Sequence, residues 1–244
     1  MGKIVCVVNQ KGGVGKTTTA VNLSAALGLG GHSSVLVDMD PQCNATGATG
    51  CVPLERHGLL SEQPLAELLH DGVTRNLSIL PGARSFEDVA RLVDDGDRVA
   101  RRLDELRESH DYVLVDCPPS VAELTQTALA AADEVLIPIQ CEYFAMEGLA
   151  GMVKEIAKVI QDTDGRLTFG GILLTMYDPT LELTHEVDAE VRDFFGDIVF
   201  DSVIPRDVSL GEAPSHGQTV FQYAPRCRGA YAYTQLCMEV LQRD

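Results

Sequence analysis

The sequence predicts an open, doubly wound α/β sheet, mostly parallel, with helices on both faces. Three observations carry that expectation. Apolar runs of strand length alternate with helix-period segments from one end of the chain to the other. Several of those runs are apolar without alternation, as expected of parallel strands covered on both faces. The connections between them are short, which argues for βαβ units.

The elements follow in order. Residues 3–8 read as the first strand and 17–27 as the first helix, with Gly28 and Gly30-Gly31 as its stop signals. Residues 35–38 form the second strand. Residues 41–63 are loop-like and are expected as a surface excursion, followed by a short helix at 65–69. Leu77–Leu80 is a weaker strand, expected at an edge. Helices are expected at 99–108, 121–131, 145–161, 184–195 and 229–241. Strands are expected at Tyr112–Asp116, 134–139, 171–175 and 198–204. No repeat or low-complexity tract interrupts the pattern, so residues 1–244 are expected as a single domain. A chain of 244 residues buries roughly 70% of its unfolded surface, enough for a sizeable core without disulfides or a structural metal.

Composition excludes several classes. The longest apolar runs fall short of the ~20 residues a transmembrane helix requires. The N-terminus is too brief for a signal peptide, and Cys6 stands where myristoylation needs Ser or Thr. Seven scattered cysteines with no CxxC pair read as reduced cytosolic thiols. The formal charge is −17, and only Lys3, Lys11, Lys16, Lys154 and Lys158 are lysines. An acidic surface nearly stripped of lysine points to a cytoplasm of molar salt, where screening relieves self-repulsion. Charge alone would reject nucleic acid as a partner.

The strongest local signal is the run Lys11-Gly12-Gly13-Val14-Gly15-Lys16-Thr17-Thr18, between the first strand and the first helix. Glycines let backbone N–H groups close around phosphate oxygens, and the helix N-terminus adds its positive end. Lys16 can reach β- and γ-phosphates, and the Thr17 hydroxyl can ligate Mg²⁺. Two of the five lysines stand in this one loop. The strict GxxxxGK[ST] pattern fails, because its first glycine would fall at Gln10. The pattern present is KGGxGK[ST], and in it the chain resembles the ParA/MinD family of deviant Walker A ATPases. The resemblance implies ATP and Mg²⁺ as cofactors, and it implies that Lys11 reaches nucleotide held by the partner subunit.

Three acids end strands where ligands bind in open α/β folds. Asp38 and Asp40 are spaced i, i+2 and share a face. By resemblance, Asp40 positions the attacking water, while Asp38 supports the metal and switch region. Tyr112–Asp116 has the Walker B layout of an apolar strand ending in Asp, which implies that Asp116 holds Mg²⁺ through water. Pro118-Pro119 resembles the second switch. Asn44-Ala45-Thr46-Gly47 and Thr175-Met176-Tyr177-Asp178 also match the family. So does the segment from Ile204 to Gly217, which closely matches the ParA/Soj pattern ending EAPSHG. These matches imply that Met176, Pro205 and Asp207 border the nucleotide, with Asp207 standing where relatives carry Asn.

The branch follows from the remaining residues. Arg243 is the only basic residue in the last 16, so the basic amphipathic tail of a MinD-type membrane binder is absent and no membrane is expected. Without paired cysteines, no iron–sulfur cluster is expected. The first strand begins at Lys3, so no N-terminal helix-turn-helix is expected. The resemblance implies an ATP-sandwich homodimer that binds DNA non-specifically through Arg206, Arg226 and Arg228. A partner that is ParB-like or a cargo adaptor would stimulate slow hydrolysis and reset it. Relatives carry a basic residue where Ser209 stands. The expected place is the cytoplasm, on the nucleoid. Two alternatives stand beside this reading: a MinD-like positioner on membrane, and a nucleotide-gated scaffold with vestigial hydrolysis.

Overall fold

The computed structural model describes residues 2–119, 123–142, 145–163 and 165–243. In chain order the described elements are β1 (Lys3–Val7), α1 (Lys16–Leu29), β2 (Ser34–Asp38), α2 (Asn44–Ala48), α3 (Leu65–Leu68), β3 (His70–Asp71) and β4 (Leu77–Leu80). Next come α4 (Phe86–Asp94), α5 (Gly96–Ser109), β5 (Tyr112–Asp116), α6 (Glu123–Ala131), β6 (Glu134–Gln140) and α7 (Ala145–Asp162). The chain ends with β7 (Thr168–Tyr177), α8 (Glu182–Phe195), β8 (Val199–Pro205), α9 (Val208–Glu212), α10 (Val220–Tyr223) and α11 (Arg228–Arg243). The helix expected at 121–131 begins outside the described residues.

The strands form one sheet in the order β3-β4-β2-β5-β1-β6-β7-β8. Every pairing is parallel except β3 with β4. Alternation within each strand divides the core. Ile4, Cys6, Val113 and Val115 face one layer with Leu103, Leu124, Ile156 and Val191 from α5, α6, α7 and α8. Val5, Val7, Leu36 and Leu114 face the other with Leu23, Leu27, Tyr233 and Leu236 from α1 and α11. Parallel strands share their direction, so β1, β2, β5 and β7 present their C-terminal ends along one edge, and there the site is built.

Four expectations needed correction. The helix α1 runs through Gly28 to Leu29; Gly28 is a close-approach glycine, since a Cβ there would lie 2.6 Å from the Arg75 carbonyl oxygen. Leu77–Leu80 is not the edge, because the two-residue β3 pairs outside it. The stretch 41–63 is no surface excursion: Ala45, Thr46, His57, Leu59 and Leu60 are buried, their polar groups satisfied internally. The helix α4 was not anticipated; Ser85 caps it, its hydroxyl accepting from the Asp88 N–H. The apolar face of α11 is core, as the sequence indicated, with Ala230, Tyr233, Leu236 and Val240 buried. No helix among the described residues is long and apolar enough to cross a membrane.

Candidate nucleotide site

The loop from Lys11 to Gly15 turns the chain from β1 into α1. Gly13 and Gly15 take φ of 77° and 92°, the left-handed region where a side chain is strained. Gly15 is the N-cap of α1, so the first-turn N–H groups face the cleft without a competing side-chain cap. The Thr175 hydroxyl donates to the Val14 carbonyl (2.8 Å), tying the loop to β7. Lys16 is buried, and its ammonium donates to the Lys11 carbonyl (3.1 Å). Burial lowers its pKa, against the opposing pull of Asp116 and Asp40.

Sheet register places the acids. Asp38 and Asp116 are paired positions at the ends of β2 and β5. Both are fully buried. Burial raises the Asp38 carboxyl to about 6, although Thr46 donates to it twice, from its N–H (2.8 Å) and its hydroxyl (2.6 Å). Burial, then the nearby Asp38, raises Asp116 well above the ordinary carboxylate range. The Thr17 hydroxyl donates to Asp116 Oδ2 (2.8 Å), whereas Asp116 Oδ1 is buried with no hydrogen-bond partner among the described residues. A buried, unpartnered carboxylate oxygen beside a helix-N-terminal hydroxyl is the oxygen donor set that suits Mg²⁺. The Mg²⁺ expectation therefore fits these residues.

Gly12, Gly13, Gly15, Lys16, Thr17, Thr18 and Asp40 line a cleft of about 460 Å³ together with Pro119 and Met176. That size suits a small ligand such as a nucleotide. A neighbouring pocket of about 240 Å³ is lined by Thr18, Met176, Pro205, Asp207 and Tyr233. Met176 holds φ 50°, a strained conformation at the mouth of both. Of the sequence-derived residues, Val14, Asp38 and Asp116 are buried and absent from both linings, Asp116 being reached through the Thr17 hydroxyl. Two more stand apart from the expectation. Lys11 does not line the cleft; its half-exposed ammonium pairs with Glu142. Asp207 lines the second pocket, but its carboxylate accepts from the Ser209 and Gly229 N–H groups (3.0 and 2.9 Å). It caps α9 and fastens that turn to α11, and so both oxygens are engaged by backbone.

Several residues of the site gave little sign in the sequence. Gly82 abuts Asp38, where a Cβ would lie 2.9 Å from the Asp38 carbonyl oxygen, and its N–H donates to Thr46 Oγ1. Asn22 accepts from the Val220 N–H (2.9 Å), anchoring the C-terminal segment to α1. The signal for both is geometric, since neither stands in a recognisable motif. Arg206, Arg226 and Arg228 are exposed. Arg228 donates to the Arg206 carbonyl (3.1 Å), and the carboxyl of Asp178 feels both Arg206 and Arg228.

Comparison with known proteins extends this geometry. A family model described as an AAA domain matches residues 2–169. The chromosome-partitioning ATPase Soj of Treponema pallidum is 43% identical over 250 residues, spanning 100% of this chain and 99% of the relative. The cobyrinic acid a,c-diamide synthase of Mycobacterium smegmatis, solved with ADP and magnesium, superposes with a TM-score of 0.84 at 30% identity, covering 100% and 95% of the two chains. The septum site-determining protein MinD of Pyrococcus horikoshii, solved with Mg-ADP, gives 0.81 at 28% identity, covering 98% and 96%.

Proposed function

This chain belongs to the ParA/Soj family of partition and positioning ATPases, and from that premise we propose that it is an ATP-driven dimerisation switch. The observation that carries the reading is a cleft lined by Lys16, Thr17 and Asp40, with two buried carboxylates beside it: Asp116 accepts from the Thr17 hydroxyl, and Asp38 is its register partner on β2. The loop N–H groups of Gly12 to Thr18 cradle the phosphates, and Lys16 balances charge on the β- and γ-oxygens. Thr17 and Asp116, with Asp38 behind them, would hold Mg²⁺, which when bound neutralises charge on the same oxygens. Met176 and Pro205 flank the base.

Asp40 orients the attacking water, whose oxygen bonds to the γ-phosphorus as the bond to the β–γ bridging oxygen breaks. The products are ADP and inorganic phosphate. Phosphoryl transfer asks mainly for positioning and charge neutralisation, so one orienting carboxylate suffices. Lys11, outside its own cleft and half-exposed, acts in the site of a second copy. The ATP-bound dimer holds DNA without sequence preference through Arg206, Arg226 and Arg228, on the nucleoid in the cytoplasm. A ParB-like or adaptor partner stimulates hydrolysis and releases it.

Phosphate release and light scattering on Asp40→Ala test the switch. The variant is expected to bind ATP, remain dimeric, and hydrolyse at least about 100-fold more slowly than the parent. Hydrolysis at the parental rate would remove Asp40 from its role. A parent that dimerises with ATP yet releases no phosphate, with DNA and partner present, would favour a nucleotide-gated scaffold.

A further inference from the structure

Behind the cleft, the stretch after β2 is held by buried hydrogen bonds that the phosphate chemistry does not use. His57 is their centre and is 3% exposed. Its Nδ1 accepts from the Leu59 N–H (3.2 Å), capping a short 3-10 turn at Gly58–Leu60. A neutral ring with Nδ1 as acceptor carries its proton on Nε2, and Nε2 lies 3.0 Å from the carbonyl oxygen of Asp38. The backbone N–H of His57 donates to Asp88 Oδ2 (2.8 Å) at the start of α4. His57 therefore joins three segments: its ring links β2 to the turn at Gly58–Leu60, and its backbone N–H links that turn to α4.

We propose that His57 is a positioning residue for hydrolysis: its Nε2–H grips the Asp38 carbonyl and fixes the backbone step that carries β2 into Asp40. The proposal rests on the ATPase reading above. Asp38 is clamped from two sides, its carboxylate by Thr46 and its carbonyl by His57. Gly82 lies against the same carbonyl, where even a Cβ would come within 2.9 Å of the oxygen. Asp40 lies two residues on, its carboxylate receiving the Gln42 N–H (2.9 Å), so its place depends on where β2 ends. His57 is absent from the cleft lining, so its effect falls on turnover and not on nucleotide affinity.

The test separates the two ring nitrogens. In His57→Asn the amide oxygen can replace Nδ1 as the turn cap, but no atom reaches the Asp38 carbonyl. In His57→Gln the amide nitrogen can replace Nε2 as donor. The Asn variant is expected to lose about tenfold in kcat with KM for ATP unchanged, and the Gln variant to recover most of it. A Gln variant no faster than Asn, an Asn variant matching the parent, or a loss falling on KM would overturn the proposal. Imidazole ¹⁵N shifts of the parent supply a second readout. The Nε2–H tautomer supports the assignment, and the Nδ1–H tautomer or an imidazolium overturns it. A parent that releases no phosphate would sink the ATPase reading itself; turnover without an Asn–Gln difference would sink only this inference.

Discussion

At the scale of single residues, the two lysines of the phosphate loop have opposite surroundings. Lys16 is buried and lines its own cleft, its ammonium donating to the Lys11 carbonyl. Lys11 is half-exposed and paired with Glu142, an exposed contact of the kind that holds a side chain only weakly. Substitution should therefore split binding from assembly. Lys16→Ala removes a buried charge-assisted contact and should weaken nucleotide affinity by on the order of 100-fold. Lys11→Ala should leave affinity within about twofold and abolish the ATP-dependent rise in mass. Fluorescent-nucleotide titration and light scattering check both. Retained affinity in the first variant, or an ATP-induced dimer in the second, would refute the corresponding assignment.

At the scale of elements, Asp207 shows how a departure from the family pattern is absorbed by structure. Its carboxylate follows β8, caps α9 through the Ser209 N–H and receives the Gly229 N–H from the first turn of α11. Burial opposes the charge, but the Gly229 and Ser209 N–H groups hold the carboxyl below its ordinary value of 3.8. A depressed folded pKa means that the stabilisation is present above the unfolded value and is lost as pH falls through the folded one. Asp207→Ala should thus cost about 1–2 kcal/mol in denaturant melts at pH 7, with the gap from the parent closing below about pH 4. A gap independent of pH would mean that packing, not the charged cap, is what was lost. The same elements show what the sequence could disclose. Strand cores were legible because parallel strands are apolar on both faces, and the phosphate loop because its glycines and lysines have few other uses. The stretch 41–63 was not, since Thr46, Thr49 and His57 look like loop residues and are buried because specific partners satisfy them: the Asp38 carboxylate for Thr46, the Ala45 carbonyl for Thr49 and the Asp38 carbonyl for His57. Nor was α4: Val89, Leu92 and Val93 face the core at helical spacing, but the stripe is only two turns long and Phe86, at its start, is 89% exposed.

At the scale of the whole molecule, a formal charge of −17 sets stability against DNA contact. Like charges spread over one domain repel at low salt, and screening shortens their reach from about 10 Å at 0.1 M to about 3 Å at 1 M. If the acidic surface is matched to a saline cytoplasm, raising KCl from 0.1 to about 2 M should add roughly 2 kcal/mol and lift Tm by about 4–8 °C. The proposed DNA contact must move the other way. Three arginines on each of two protomers give about six phosphate contacts, and a log–log salt slope of about −5 for the ATP-bound dimer. Over the same range of KCl, that slope removes about seven decades of affinity. The triple variant Arg206→Ala, Arg226→Ala, Arg228→Ala should flatten the slope toward zero while leaving the salt-dependence of Tm in place. A Tm indifferent to KCl would sink the saline reading. A slope unchanged by the triple variant would place the DNA surface elsewhere, because each lost contact must reduce the counterions released on binding by about one.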